Sequence, residues 1–253
     1  MKRFSGKVIL ITGASSGIGA AVAQAFAAEG ASLMLSARRL ERLNELAATC
    51  RNLGARCEVM QTDIQDEEQT LKLVEKTLQY FTQIDVLVNN AGIGTYGLFH
   101  QQPWTEIRRT LQTNLTGALF LCHTVVPHMV KQKSGMIVNV SSVIGKRAIA
   151  HLASYCASKF GLWGFSHSLR LELKEFGIQV CHFCPRATST EFQNLAGFKS
   201  DSHADSSETV AKAMVQAVLK RKSEHIMSLR ERFLIKCWLL APNLTDRLLR
   251  LRT

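Results

Sequence analysis

The chain has 253 residues, of which 46% are hydrophobic, 20% charged and only 4 proline. That composition excludes a disordered or fibrous polymer and suits one globular domain around a large core. The formal charge is +11, from 31 Lys plus Arg against 20 Asp plus Glu; no nucleic-acid motif accompanies it, so no nucleic-acid partner is expected.

The apolar run Val8–Ile11 falls short of the roughly 7–15 residues of a signal-peptide core. The chain is therefore expected to start at Met1 and to stay in the cytoplasm. Val8–Thr12 reads as a buried strand and Ile18–Glu29 as a helix. The alternation continues with strands at Ser32–Ala37, Arg56–Gln61, Val86–Asn89 and Met136–Val140, and helices at Arg39–Leu53, Glu67–Phe81 and Leu115–Lys133. Strand, helix, strand repeated in this way predicts an α/β fold, a doubly wound parallel sheet with helices on both faces. The uncharged stretch Thr110–Val130 holds Gln112, Asn114, His123 and His128, too polar to span a membrane. Tyr155–Phe176 then reads as helix, Gln179–Cys184 as strand, Glu208–Leu219 as helix and His225–Ser228 as a last strand. Glu191–Ser207, rich in Ser and Asp, reads as an irregular loop of the kind that forms lids.

From Lys220 onward there are nine basic and three acidic residues, so +6 of the net charge sits in the last 34 residues. Phe233, Leu234, Ile235, Trp238, Leu239 and Leu240 lie among them. A terminal helix packed on its own domain or on a second subunit is the first expectation for residues 229–253, and peripheral contact with a membrane the second. The seven cysteines are odd in number and widely spaced, so free thiols are expected. Cys181 and Cys184 fall on a strand, where a separation of three points them to opposite faces, and no metal site is expected.

Chemistry concentrates at three places. After the first strand comes TGASSGIG, with Gly13, Gly17 and Gly19 opening a helix. Glycines there let backbone N–H groups approach a pyrophosphate at the helix N-terminus. The same letters match a serine-hydrolase elbow, GxSxG at Gly13–Gly17, but only twelve residues precede Gly13, too few for the strands and loop that such an elbow requires. The second strand ends in Arg38 and Arg39. A carboxylate at that point binds a ribose 2′-hydroxyl, whereas guanidinium accommodates a 2′-phosphate, so the cofactor is expected to be NADP(H). Finally, Ser142 ends a strand, and Tyr155 and Lys159 share a helix face at i and i+4. Bringing a phenol from a pKa of about 10 to near 7 needs about 4 kcal/mol. One ammonium about 4 Å away supplies that much at an effective dielectric of 20. Lys159 is thus expected to acidify Tyr155.

Together TGASSGIG (12–19), NNAG (89–92), Asn114, NVSS (139–142) and YCASK (155–159) closely resemble, in order and spacing, the short-chain dehydrogenases/reductases. The resemblance runs from about Gly6 to Pro185. It implies one Rossmann-type domain over 1–253 with about seven parallel strands, a substrate loop at 190–207, and a homodimer or homotetramer formed by the helices beginning near Asn114 and Tyr155. It implies that Ser142 hydrogen-bonds a substrate carbonyl, Tyr155 transfers the proton, Lys159 holds the nicotinamide ribose and Asn114 positions a relay water. The cofactor would meet Gly13, Ser15, Ser16, Gly17, Ile18, Gly19, Arg38, Arg39, Asp63, Ile64, Asn90, Ala91, Gly92, Tyr155, Lys159, Pro185, Thr188 and Thr190. Two departures stand out: Arg186 replaces the usual glycine after Pro185, and Ser16 stands where some NADPH-using members are basic. Phe192, Leu195 and Phe198 point to a lipophilic carbonyl or alcohol substrate. A cofactor sensor without turnover is the alternative from another class.

Overall fold

The computed structural model describes residues 2–197 and 204–250. One parallel sheet contains β1 (Val8–Thr12), β2 (Ser32–Ala37), β3 (Cys57–Gln61), β4 (Val86–Asn89), β5 (Gly135–Val140), β6 (Ile178–Cys184) and β7 (Glu224–Ile226), in the order β3-β2-β1-β4-β5-β6-β7. It matches the doubly wound fold expected from the sequence. β1 pairs β2 from Val8 opposite Ser32 to Thr12 opposite Ser36, and pairs β4 on its other side. The chain reverses its winding between β1 and β4, which opens a crevice at the carboxyl ends of those strands.

Alternation along buried strands divides the core into two layers. Ile9 and Ile11 of β1 pack with Val22 and Phe26 of α1 (Gly17–Ala28), Leu43 and Leu46 of α2 (Leu40–Asn52) and residues of α8 (Ser207–Leu219). Val8 and Leu10 face the opposite layer, with Leu73 of α3 (Glu67–Phe81), Leu121 of α5 (Gly117–Gln132) and Leu169 of α6 (Ala153–Glu172). Local signals fix several boundaries. Asp66 accepts from the Gln69 amide at 3.0 Å and caps α3, whose first turn carries Glu67 and Glu68. Ser206 accepts from the Thr209 amide at 3.2 Å and caps α8.

The structure differs from the sequence reading in four places. A helix α4 (Trp104–Leu111) precedes the one expected from Leu115, and a π-helical turn, Gln112–Thr116, joins it to α5. Pro103 and the polar run after it hide α4 in the sequence. Within the supposed irregular loop lies a short helix, α7 (Glu191–Leu195); Phe198 lies outside the described residues. The last strand ends at Ile226 because Ser228 accepts from the Glu231 amide at 3.3 Å and starts a helix. The tail is two helices, α9 (Leu229–Leu240) and α10 (Pro242–Arg250), with Pro242 at the first helical position.

Candidate active site

A cavity of about 690 Å³ opens at the carboxyl ends of the strands, a size usual for ligand and cofactor sites. Its floor is the turn between β1 and α1. Gly13 and Gly17 hold φ of +65° and +53°, the left-handed region that only glycine enters without strain. A Cβ on Gly13 would lie 2.8 Å from the Ala91 Cα, and one on Gly19 only 2.3 Å from the Gly13 carbonyl. No side chain caps the start of α1, and its first turn has no acid. Its first residues, Gly17 and Ile18, line the cavity, so the positive end of the helix dipole lies at the crevice without a side-chain cap. Asn90 ties the neighbouring strand to this turn, its Nδ2 donating to the carbonyls of Thr12 and Gly13 at 3.0 and 3.2 Å.

At the end of β2 the two arginines differ. Arg38 is exposed, lines the cavity, and its guanidinium makes no hydrogen bond among the described residues. Arg39 reaches back across the turn to Ser16 Oγ at 2.7 Å and Ser15 Oγ at 3.2 Å, and pairs with Glu191 at 2.9 Å. Glu191 also pairs with Arg42 at 2.5 Å, and the two arginines hold its carboxyl below the usual range. Thus a carboxylate does approach the arginines at the end of β2, delivered by α7 from 152 residues away. The strand end alone does not reveal it.

Ser142, Tyr155 and Lys159 share one wall of the cavity. β5 delivers Ser142 just past its end, and α6 presents the other two one turn apart. Tyr155 and Lys159 are only 6% and 5% exposed. Ser142 and Tyr155 are joined by a side-chain hydrogen bond. Lys159 Nζ donates to the Val140 carbonyl at 3.0 Å and lies 5.7 Å from the Tyr155 ring centre. Asn114 sits behind this wall, almost fully buried in the π turn, a distortion common at functional sites. Its amide accepts from the Ile93 N–H and donates to the Ile93 carbonyl, both at 2.8 Å, and donates to Ser158 Oγ at 3.1 Å.

Burial reverses the expected acidification. Desolvation pushes the Tyr155 phenol up, with the Ser142 hydrogen bond opposing it. Desolvation also pushes the Lys159 ammonium down to about 8. A neutral phenol is the state that can give a proton. The protein by itself holds Tyr155 in that state rather than close to ionisation.

Every residue expected to meet the cofactor lines the cavity except Gly19. Gly19 is packed beneath the turn, where a side chain would collide with the Gly13 carbonyl. Of the four catalytic candidates, only Asn114 is absent from the lining. The structure also supplies residues that the sequence reading passed over. Arg109, Arg147, Glu191 and Glu231 line the cavity, and each comes from a segment with no motif of its own. Arg186 takes no left-handed backbone conformation, so the usual glycine is not needed there. Its guanidinium instead meets Asp205 at 3.3 Å, beside a bridge between Thr188 and Asp205 that joins the two ends of the loop. The glycine cradle, the open helix N-terminus and the cations at the end of β2 fit a dinucleotide with phosphates on the turn.

Residues 7–199 match the family described as short chain dehydrogenase. The chain is 31% identical over 237 residues to the ketoacyl reductase HetN of Nostoc sp. (strain PCC 7120), covering 90% of this chain and 80% of that protein. A short-chain dehydrogenase from Sphingobium yanoikuyae in complex with NADPH superposes with a TM-score of 0.83 at 35% identity, over 88% of each chain. One from Burkholderia phymatum in complex with NAD shares the fold, with a TM-score of 0.89 at 23% identity over 96% of each chain. With the match spanning well over half its length and the serine, tyrosine and lysine on one wall, this chain belongs to the short-chain dehydrogenase family of oxidoreductases, acting on CH–OH and C=O groups.

Proposed function

We propose that this oxidoreductase is an NADPH-dependent carbonyl reductase, interconverting a ketone or aldehyde and its alcohol, with a lipophilic substrate of steroid or fatty-acyl kind. The observation that carries the reading is the convergence of Ser142, Tyr155 and Lys159 on a cavity whose floor is the glycine turn. The bound dinucleotide supplies the hydride. Ser142 Oγ donates to the substrate oxygen. Tyr155 Oη–H gives its proton to that oxygen as the carbon is reduced, leaving a tyrosinate. The Lys159 ammonium stabilises this charge and, with one N–H on Val140, keeps its other two for the cofactor ribose and the phenol. Asn114, held at both ends by Ile93, positions the water through which Tyr155 regains its proton.

NADPH over NADH is supported by the free guanidinium of Arg38, by Arg39 at the turn, and by the NADPH bound to the Sphingobium neighbour. A lipophilic substrate is supported by the surroundings of Tyr155, which packs with Leu152 and Cys156 and with the partly buried Ile144, Phe160 and Phe192. The Phe192 ring of α7 lies 5.9 Å from it. Assembly in the cytoplasm as a homodimer or homotetramer, through the helices beginning near Asn114 and Tyr155, completes the reading, and sedimentation velocity tests the stoichiometry.

The test is a panel of small and long-chain carbonyls followed by NADPH absorbance. Tyr155→Phe should lower turnover by about a hundredfold or more, the usual range for a general acid, while NADPH still binds. Undiminished turnover refutes the assignment; NADPH binding with no turnover of any carbonyl by the native chain favours a sensor.

A further inference from the structure

The tail presents to solvent a face that the chemistry of the cavity does not use. α9 buries Ile235, 3% exposed, and sets Trp238 6.3 Å from Phe160 of α6, so one side of the helix is docked on its own domain. At about 100° per residue, Leu229, Phe233 and Leu240 fall in one narrow sector on the opposite side, and they are 80%, 66% and 87% exposed. Leu239 of α9, outside this sector, and Leu244, four residues past Leu240 on α10, are each 59% exposed as well. The exposed Arg230 flanks it on one side, and the exposed Arg232 and Lys236 on the other. Glu231, the acid within α9, turns away from this face and lines the cavity.

Large apolar side chains exposed along one side of a helix call for a cover. A second copy is a poor one, because a two-fold interface sets each patch against itself. It would bring Arg230, Arg232 and Lys236 of one chain onto the same three cations of the other. An anionic bilayer matches both components. Leucine and phenylalanine enter the boundary between headgroups and acyl chains, while arginine and lysine extend to the phosphates. No helix among the described residues is long and apolar enough to cross a membrane, so the contact lies in the interfacial plane.

We propose that α9 docks this protein on the surface of an anionic lipid bilayer. The docking stands on the helix alone. A corollary rests on the proposed function: because Glu231 of the same helix lines the cavity, docking holds the cavity near the bilayer and gives it a carbonyl dissolved there.

The experiment is co-sedimentation of the full chain with vesicles of phosphatidylcholine alone and of phosphatidylcholine with one third phosphatidylglycerol, at low and high salt. The native chain should pellet with the anionic vesicles, much less with the neutral ones, and less at high salt. Replacing three cations (Arg230→Gln, Arg232→Gln, Lys236→Gln) should weaken binding about a hundredfold, at roughly fivefold per cation near the surface. Phe233→Ser with Leu240→Ser should also release the protein. An unchanged melting temperature and NADPH affinity show that each variant is folded. Absence of binding to anionic vesicles, or full binding by the triple variant, overturns the proposal. So does a dimer in solution that Phe233→Ser dissociates. Turnover of a long-chain carbonyl within vesicles, compared with a water-soluble one, tests the corollary separately: vesicle binding without preference for the lipid substrate rejects the substrate class and leaves docking standing.

Discussion

Lys159 is expected to reduce the stability of the fold while serving the site, and Lys159→Met measures by how much. Burial lowers its pKa from an ordinary 10.5 to about 8, which at 1.36 kcal/mol per unit amounts to about 3 kcal/mol against keeping the ammonium inside at neutral pH. Methionine fills similar space without charge. It leaves the Val140 carbonyl without its 3.0 Å donor, a loss of about 1–2 kcal/mol. The balance predicts a variant that is inactive yet about 1–2 kcal/mol more stable at pH 7, a rise in Tm of roughly 2–8 °C for a chain of this size. The pH dependence has a definite sign. Below pH 8 both folded and unfolded chains carry the proton and the full cost is present. Between 8 and 10.5 the unfolded chain retains a proton that the folded one has lost, so native stability rises with pH and the advantage of the variant shrinks. Urea unfolding of both proteins at pH 7 and near pH 10 reads this directly. If the variant is less stable than the native chain at pH 7, or if the gap between them does not narrow with pH, the buried ammonium is not the burden claimed.

Other expectations bear on the cofactor. Arg38→Asp should reverse a native preference for NADPH, read as kcat/KM with each cofactor; a native preference for NADH would remove the phosphate argument. Glu191→Gln should free Arg39 and tighten NADPH by about two- to fivefold, with little change for NADH. Each ion pair of Glu191 is more than two-fifths exposed and contributes about 0–1 kcal/mol, so Tm should hardly move; weaker NADPH binding would mean that Glu191 supports the site. Gly19→Ala places a Cβ 2.3 Å from the Gly13 carbonyl and 2.6 Å from Asn90 Nδ2. It should cost about 1–3 kcal/mol of stability and reduce NADPH affinity in a fluorescence titration, and a silent substitution would show that the turn has slack.

What was legible in the sequence was local. Gly13 and Gly17 announce a turn because few other residues accept their backbone angles, and Tyr155 and Lys159 announce a shared face because helical spacing puts them there. The alternating apolar runs gave the sheet for the same reason. What was not legible depends on distant parts of the chain. Glu191 reaches Arg39 only after β6 has returned the chain to the same edge of the crevice, so the charge at the phosphate site could not be read from the end of β2. Burial of Tyr155 and Lys159 depends on α7 and β5 together, and it reverses a pKa argument that spacing alone had made plausible. Glu231 lies in a tail whose apolar residues surround the helix, so no periodicity marked which side would meet the cavity.

The π turn at Gln112–Thr116 stores one residue more than a regular helix would need. Each residue of helix rotates its successors by about 100°, so the surplus sets the angle at which Asn114 meets Ile93 and the angle at which α5 leaves for the sheet. Leu115, in the same turn, closes against Gly161 of α6, where a Cβ would stand 2.8 Å from its Cδ2. The turn therefore acts as a phase adjuster between two helices. Its length, more than the identity of any one side chain within it, keeps the amide and the leucine aimed at their targets at once, and shortening it by one residue would misdirect both.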